Sequence, residues 1–162
     1  MLKRKRQIKS KEKKLDKTKE KNSGEKHIDR QRTDVFEQIK AAAKGLYYIS
    51  ETDAEILPFG GEKAEAASKE TILAQTKALA DSQVEERDFA EFFARLTEIQ
   101  DWFGDEEKET AQKLGQLKEL LEKNLRDLKV FKIGKIQLDV YAVGLDAENN
   151  LIGIKTKAVE TG

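Results

Sequence analysis

Residues 130–159 read VFKIGKIQLDVYAVGLDAENNLIGIKTKAV, and this stretch decides the fold. Its apolar residues recur with a period of two, the spacing of a β-strand that buries one face. Gly134-Lys135 interrupts the pattern once, and the turn-forming residues 146–150 interrupt it again. The pattern therefore predicts three consecutive antiparallel strands, which form a C-terminal antiparallel meander. The predicted strands span residues 130–133, 136–143 and 151–159.

Upstream of the meander, apolar residues recur three or four positions apart, which is typical of amphipathic helices. Asp34 and Asp88 are placed to cap two of these helices, and Gly45 is placed to end the first. The predicted helices begin near residues 34, 69, 88 and 105, and the last one runs to about residue 127. Helices followed by a meander predict an α+β fold.

Residues 56–61 interrupt the helical pattern and contain Pro58, the single proline of the chain. Because proline lacks a backbone N–H, a short strand over residues 56–59 is expected at a sheet edge. Gly60-Gly61 is predicted to begin a loop, and it lacks the spacing of a phosphate-binding loop.

Charge is segregated along the chain although the formal net charge is zero. Residues 1–32 carry 14 Lys and Arg against 5 Asp and Glu, with few apolar residues, and predict a disordered basic tail over residues 1–33. Residues 34–162 are predicted to form the domain, and within it residues 51–109 carry 17 acidic and 6 basic side chains. Such a surface repels nucleic acid and attracts proteins with basic clefts, unless it serves solubility alone.

Residue types used in catalysis are scarce. Cysteine is absent, the single histidine (His27) lies in the basic tail, and no Gly-x-Ser-x-Gly motif occurs. We therefore expect no enzymatic activity and no cofactor of the protein's own. No apolar run is long enough to span a bilayer, and no apolar segment follows the basic N-terminus. These features predict a soluble cytoplasmic protein, or a nuclear one if Lys3-Arg4-Lys5-Arg6 acts as an import signal.

Two short segments have alternative interpretations. Gln100-Asp101-Trp102 lies between two predicted helices and contains the single tryptophan. A tryptophan in such a connection either faces the core or forms an exposed binding anchor. Ser50-Glu51 either caps a turn with a solvated acid or belongs to a binding site.

Several segments, in one order along the chain, resemble the nuclease A inhibitor-like family, small proteins that block sugar-non-specific nucleases. The resemblance covers roughly residues 34–162, is weak over 55–90, and excludes the basic tail. The matching stretches are residues 45–51, 100–102, 105–107, 124–125, 130–141 and 150–161.

The resemblance implies a three-layer α-β-α sandwich, monomeric when free, that plugs a nuclease active site. Glu51 corresponds to the acid that enters the basic cleft of the nuclease, and Gln100, Asp101 and Trp102 correspond to a second contact cluster. Thr161 corresponds to a terminal threonine that reaches the nuclease-bound Mg²⁺. Here Gly162 follows it, so the terminal carboxylate lies one residue later. We expect deletion of Gly162 to strengthen inhibition if that metal contact forms.

The basic tail provides a rival interpretation. Residues 1–33 could bind nucleic acid electrostatically, in which case the protein is a nucleic-acid-associated or scaffold protein and its acidic domain is inert. The tail could also fold back onto the acidic residues and mask them. A chain without the tail separates the two functions, because the inhibitor would keep its binding partner and the scaffold protein would lose it.

Overall fold

A computed structural model describes residues 34–76, 78 and 82–161, which belong to one compact unit, Arg32–Gly162. The predicted tail lies outside the described residues, so the boundary near residue 34 stays a prediction. In chain order the elements are α1 (34–43), β1 (Tyr47–Ile49), β2 (Asp53–Glu55), β3 (Leu57–Lys63), α2 (Lys69–Thr76), β4 (Val84–Arg87), α3 (Phe89–Thr97), α4 (Asp105–Asn124), β5 (Arg126–Gly134), β6 (Gln137–Leu145) and β7 (Asn150–Val159).

The predicted meander is confirmed and forms the middle of the main sheet. Within the described residues, this sheet is antiparallel and has the strand order β3-β7-β6-β5-β4. Tyr141 on β6 lies between Phe131 on β5 and Lys155 on β7, which fixes the register of the three central strands. Gly134 ends β5 with a φ of 118°, a backbone conformation that glycine adopts without strain. The α+β prediction is therefore confirmed.

Both faces of the main sheet are covered, because its central strands carry apolar side chains at successive positions, such as Val130-Phe131 and Ala142-Val143, which point to opposite faces. On one face, Val130, Val140 and Ile152 pack with the buried residues of α1, α3 and α4. On the other face, Phe131 and Val143 pack against α2 and the segment before it. The largest buried helix residues include Ile39, Phe89, Phe93, Leu114, Leu117 and Leu121 on the first face and Ile72 and Leu73 on the second. The fold is thus the three-layer α-β-α sandwich that the resemblance implies.

The predicted helix boundaries at three positions are confirmed. Asp88 precedes α3, and its carboxylate accepts a hydrogen bond from the Glu91 N–H at 2.9 Å, as an N-cap requires. Gly45 follows α1 with a φ of 80°. Asp105 begins α4, although this helix ends at Asn124, earlier than predicted. No helix in the described part of the chain is long and apolar enough to cross a membrane.

The prediction for Gly60-Gly61 is wrong, because both residues lie within β3 rather than in a loop. Pro58 does lie on an edge strand, as expected, since β3 pairs with β7 alone among the residues that the structure describes. A Cβ atom on Gly60 would lie 3.0 Å from the Phe36 ring, and one on Gly61 would lie 2.8 Å from the Leu151 carbonyl oxygen. The glycines therefore permit close packing of an edge strand. In the sequence alone, two adjacent glycines in such a strand look the same as two glycines in a loop.

Candidate protein-binding site

The small hairpin of β1 and β2 lies beside the C-terminal half of β7. Strand β3 begins its pairing with β7 at Leu57, opposite Lys155. Beyond that point the hairpin takes over the same edge, where the Thr156 hydroxyl donates a hydrogen bond to the Glu55 carbonyl oxygen at 2.9 Å. The hairpin tip, residues 50–52, is consequently brought to the end of β7.

Ser50 attaches this tip to β7. The Val159 N–H donates a hydrogen bond to the Ser50 hydroxyl oxygen at 3.0 Å, and the Glu51 N–H donates one to the Val159 carbonyl oxygen at 3.3 Å. Ser50 also caps its own turn, since its hydroxyl donates to the Thr52 carbonyl oxygen at 3.2 Å. The turn-capping role predicted for Ser50 is confirmed, and Ser50 also fixes Glu51 beside the C-terminal residues, while the binding-site interpretation stays a prediction.

The Glu51 carboxylate and Thr161 form a direct pair although 110 residues separate them. One carboxylate oxygen accepts the Thr161 N–H at 2.8 Å, and the other accepts the Thr161 hydroxyl at 2.9 Å. These bonds, first from the backbone and then from the hydroxyl, stabilise the charged form and lower the pKa of Glu51 below its ordinary value. Both residues are exposed, so the paired groups face solvent.

Glu160, between Val159 and Thr161, is held from the opposite side. Its N–H donates a hydrogen bond to the Ile136 carbonyl oxygen at 2.9 Å. Its carboxylate accepts a hydrogen bond from the Lys132 ammonium at 2.8 Å, and the Lys132 side chain is only 11% exposed. We refer to residues 159–161 as the C-terminal segment; Val159 and Thr161 contact the hairpin tip, and Glu160 contacts β5 and the β5–β6 turn.

The second predicted cluster lies in the connection between α3 and α4. The Phe103 N–H donates a hydrogen bond to the Gln100 carbonyl oxygen at 3.0 Å, which closes a turn around Asp101 and Trp102. Trp102 is 73% exposed, and its ring contacts the Phe103 ring edge-on with centroids 4.7 Å apart. The core alternative for Trp102 is therefore wrong, and its position fits an exposed anchor.

The structure brings some predicted site residues together and leaves others apart. Glu51 and Thr161 are in contact, whereas no hydrogen bond, ion pair or ring contact among the described residues joins them to Gln100, Asp101 or Trp102. Gly162 lies outside the described residues. The predicted binding residues thus fall into two groups: the hydrogen-bonded pair of Glu51 and Thr161, and the exposed segment of residues 100–102.

The surroundings of the Glu51–Thr161 pair include residues that the sequence did not single out. Lys132 and Glu160 are 28 positions apart and looked like ordinary charged residues of a strand and its end. Ile49, next to Ser50, is 64% exposed. Ile136, whose carbonyl oxygen accepts the Glu160 N–H, is 55% exposed. A single sequence offers no signal for these contacts, because they depend on strand order.

A small cavity of about 100 Å³ lies next to this region. The stacked rings of Tyr48 and Phe92 form one wall, and burial raises the pKa of Tyr48. Its charged lining residues carry both signs: Arg87, Arg95 and Lys132 against Asp88 and Glu91. Several of these charges already have partners within the domain. Among the described residues, no group of three His, Cys, Asp or Glu side chains is arranged to hold a metal ion.

Comparison with family models decides the assignment, because the model described as "Nuclease A inhibitor-like protein" matches residues 33–161. The chain belongs to the nuclease A inhibitor-like family. A comparison with curated proteins finds no match. Membership in an inhibitor family indicates a protein that binds a nuclease rather than an enzyme. The match includes the hairpin tip, the α3–α4 connection and Thr161, and it leaves out the predicted basic tail.

Proposed function

We propose that this protein inhibits a metal-dependent, sugar-non-specific endonuclease by occupying its active site with acidic groups. One observation carries the proposal: within a domain matched by a nuclease-inhibitor family, an exposed carboxylate and hydroxyl are held together at the end of β7. The pair is formed in the free protein, so a nuclease would meet it already assembled.

The chemistry of phosphodiester cleavage explains why such a pair would bind. A nuclease holds the phosphate of its substrate with cationic side chains and a hard divalent cation, both of which prefer oxygen partners. A carboxylate on a rigid protein offers similar oxygens but no bond that the nuclease can cleave. Glu51 would pair with an arginine of the cleft through charge-assisted hydrogen bonds. Thr161 would approach the Mg²⁺ that belongs to the nuclease.

The α3–α4 connection would supply a second contact with the nuclease. Trp102 offers a large exposed ring, and tryptophan is enriched among the residues that dominate binding energy. Asp101 is exposed beside it, and Gln100 closes the turn that presents both residues. Acidic residues in the first turn of α4, Asp105, Glu106 and Glu107, extend the negative charge around this contact.

Titration of a purified Mg²⁺-dependent, sugar-non-specific endonuclease from the same organism tests the proposal. The full chain should suppress degradation of both plasmid DNA and RNA, with complete inhibition near one inhibitor per nuclease. Glu51→Ala should require a clear excess of inhibitor, whereas Glu119→Ala, which removes an exposed acid from α4, should behave like the wild type. Undiminished cleavage in a large excess of the wild-type chain would overturn the proposal.

A further inference from the structure

We infer that Lys132 is a positioning residue, and that Glu51 positions Thr161 in addition to its own contact with the nuclease, so that the C-terminal segment has its binding geometry before a nuclease is met. The inference rests on the proposed function, because it assigns to the two residues a role in the same binding event. It assigns a role in binding to Lys132, although the Lys132 side chain is mostly buried and offers a partner little surface to contact.

The geometry carries this inference. Strand β7 ends at Val159, so Glu160 and Thr161 extend past the last paired strand residue. Their backbone N–H groups nevertheless have partners on opposite sides: Glu160 bonds to Ile136, and Thr161 bonds to Glu51. A chain end of this kind ordinarily frays. Here it is held by the hairpin tip on one side and by the β5–β6 turn on the other.

Lys132 adds a side-chain contact to the C-terminal segment. Its ammonium binds the Glu160 carboxylate at 2.8 Å, while its own side chain is 11% exposed against 40% for that of Glu160. A nuclease docking on the surface would contact Glu160 much more readily than Lys132. We therefore assign a loss of affinity on removal of Lys132 to the position of residues 159–161, which the hydrogen-exchange experiment below measures directly.

Fixing these residues in advance should increase affinity, because a flexible segment loses conformational entropy when a partner orders it. Direct electrostatics predicts the opposite sign for Lys132. Removing a positive charge makes the inhibitor more acidic, and a cationic cleft should then attract it more strongly. The sign of the change in affinity consequently separates the positioning role from a purely electrostatic one.

The first experiment measures inhibition of the same endonuclease by the full chain carrying Lys132→Met. We expect the inhibition constant to rise about tenfold, the order expected when one ordered residue becomes free. Lys132→Arg, which keeps the cation, should stay within about threefold of the wild type. Lys113→Met is the matched control, because it removes a cation from an exposed pair with Glu109 on α4; it should leave binding unchanged or slightly tighter. Inhibition by Lys132→Met that equals or exceeds that of the wild type would overturn the inference.

The second experiment needs no nuclease and measures amide hydrogen exchange in the free full chain by NMR. The Glu160 and Thr161 amides should be protected in the wild type. Glu160→Gln removes the ion pair with Lys132 by changing its more exposed residue. This variant and Glu51→Ala should each accelerate exchange of the Thr161 amide at least tenfold. The Val143 amide, in the centre of the sheet, serves as the internal control for the fold. Unprotected Thr161 in the wild type would refute the positioning role whatever the inhibition assay gives, whereas a protected segment in a protein that inhibits nothing would refute only the proposed function.

Discussion

The C-terminal segment and the α3–α4 connection, the two regions of the proposed interface, are held in the domain in different ways. Residues 159–161 are bound by the hairpin tip and by the β5–β6 turn, with contacts that span up to 110 positions in sequence. The α3–α4 connection is closed by a hydrogen bond within its own turn, and its Trp102 side chain is largely exposed to solvent. The difference indicates a division of roles. Under the proposed function, the first region would present oxygen atoms at fixed positions to a metal-containing cleft, and the second would present contact area that adapts to a partner surface.

The largest single effect should come from the α3–α4 connection. Trp102→Ala should weaken inhibition by about 2 kcal/mol or more, roughly thirtyfold, because an exposed tryptophan that becomes buried in an interface is a common hot spot. The free energy of unfolding should change by less than about 0.5 kcal/mol, since the ring is 73% exposed. Leu57→Ala, at another exposed apolar residue on the edge strand β3, provides the control. Equal inhibition by Trp102→Ala and the wild type would remove this segment from the interface.

The C-terminal segment should respond to pH through Glu51. Hydrogen bonds from Thr161 hold the pKa of Glu51 below its ordinary value, so the carboxylate carries its charge, and keeps Thr161 bound, at any pH above the ordinary Glu value of about 4.3. This contribution is lost as the pH falls through the lowered pKa of the folded protein. An NMR titration of the Glu51 carboxyl carbon should find a midpoint below the ordinary value.

Thr161→Val sharpens that titration because it removes the hydroxyl donor and keeps the backbone donor. The midpoint of Glu51 should then move part of the way back toward the ordinary value, since the backbone hydrogen bond is the larger cause of the lowered pKa. A wild-type midpoint at or above the ordinary value would mean that the pair with Thr161 does not persist in solution.

The smallest effect should follow from removing residues 1–32, which lie outside both regions. If the chain is an inhibitor, the shortened protein should inhibit within about threefold of the full chain at moderate salt, where exposed charges more than a Debye length apart are largely screened. Greater potency of the shortened protein at low salt would indicate that the basic tail masks the acidic surface. Loss of all binding would instead favour the nucleic-acid-associated or scaffold function.

Local patterns account for the parts of this fold that were predicted from sequence. The meander follows from a period of two over residues 130–159, and α3 follows from an N-cap and four apolar residues at helical spacing. Strand β4 was missed because it is a four-residue edge strand with three exposed positions, too short and polar to show alternation. Gly60-Gly61 was misassigned because glycine serves turns and close packing alike.

The candidate site was predictable only in part, for a different reason. Glu51 and Thr161 were identified through the family resemblance and not through any pattern of their own. Their contact depends on the hairpin lying along β7, which no local signal encodes. Exposure of Trp102 was likewise undecided, since a residue in a connection has no periodicity to assign it a face. The Lys132–Glu160 pair required knowledge of which strand follows which in the sheet.

The most direct measurement combines both regions in one variant. Glu51→Lys with Asp101→Lys places one cation against the C-terminal segment and one in the α3–α4 connection. Its matched control, Glu65→Lys with Glu119→Lys, makes the same change in net charge at exposed positions elsewhere. Titrated against the Mg²⁺-dependent endonuclease, the first variant should leave DNA and RNA cleavage unaffected, while the control should still inhibit at a ratio near one to one. Stoichiometric inhibition by the Glu51 and Asp101 variant would contradict the account.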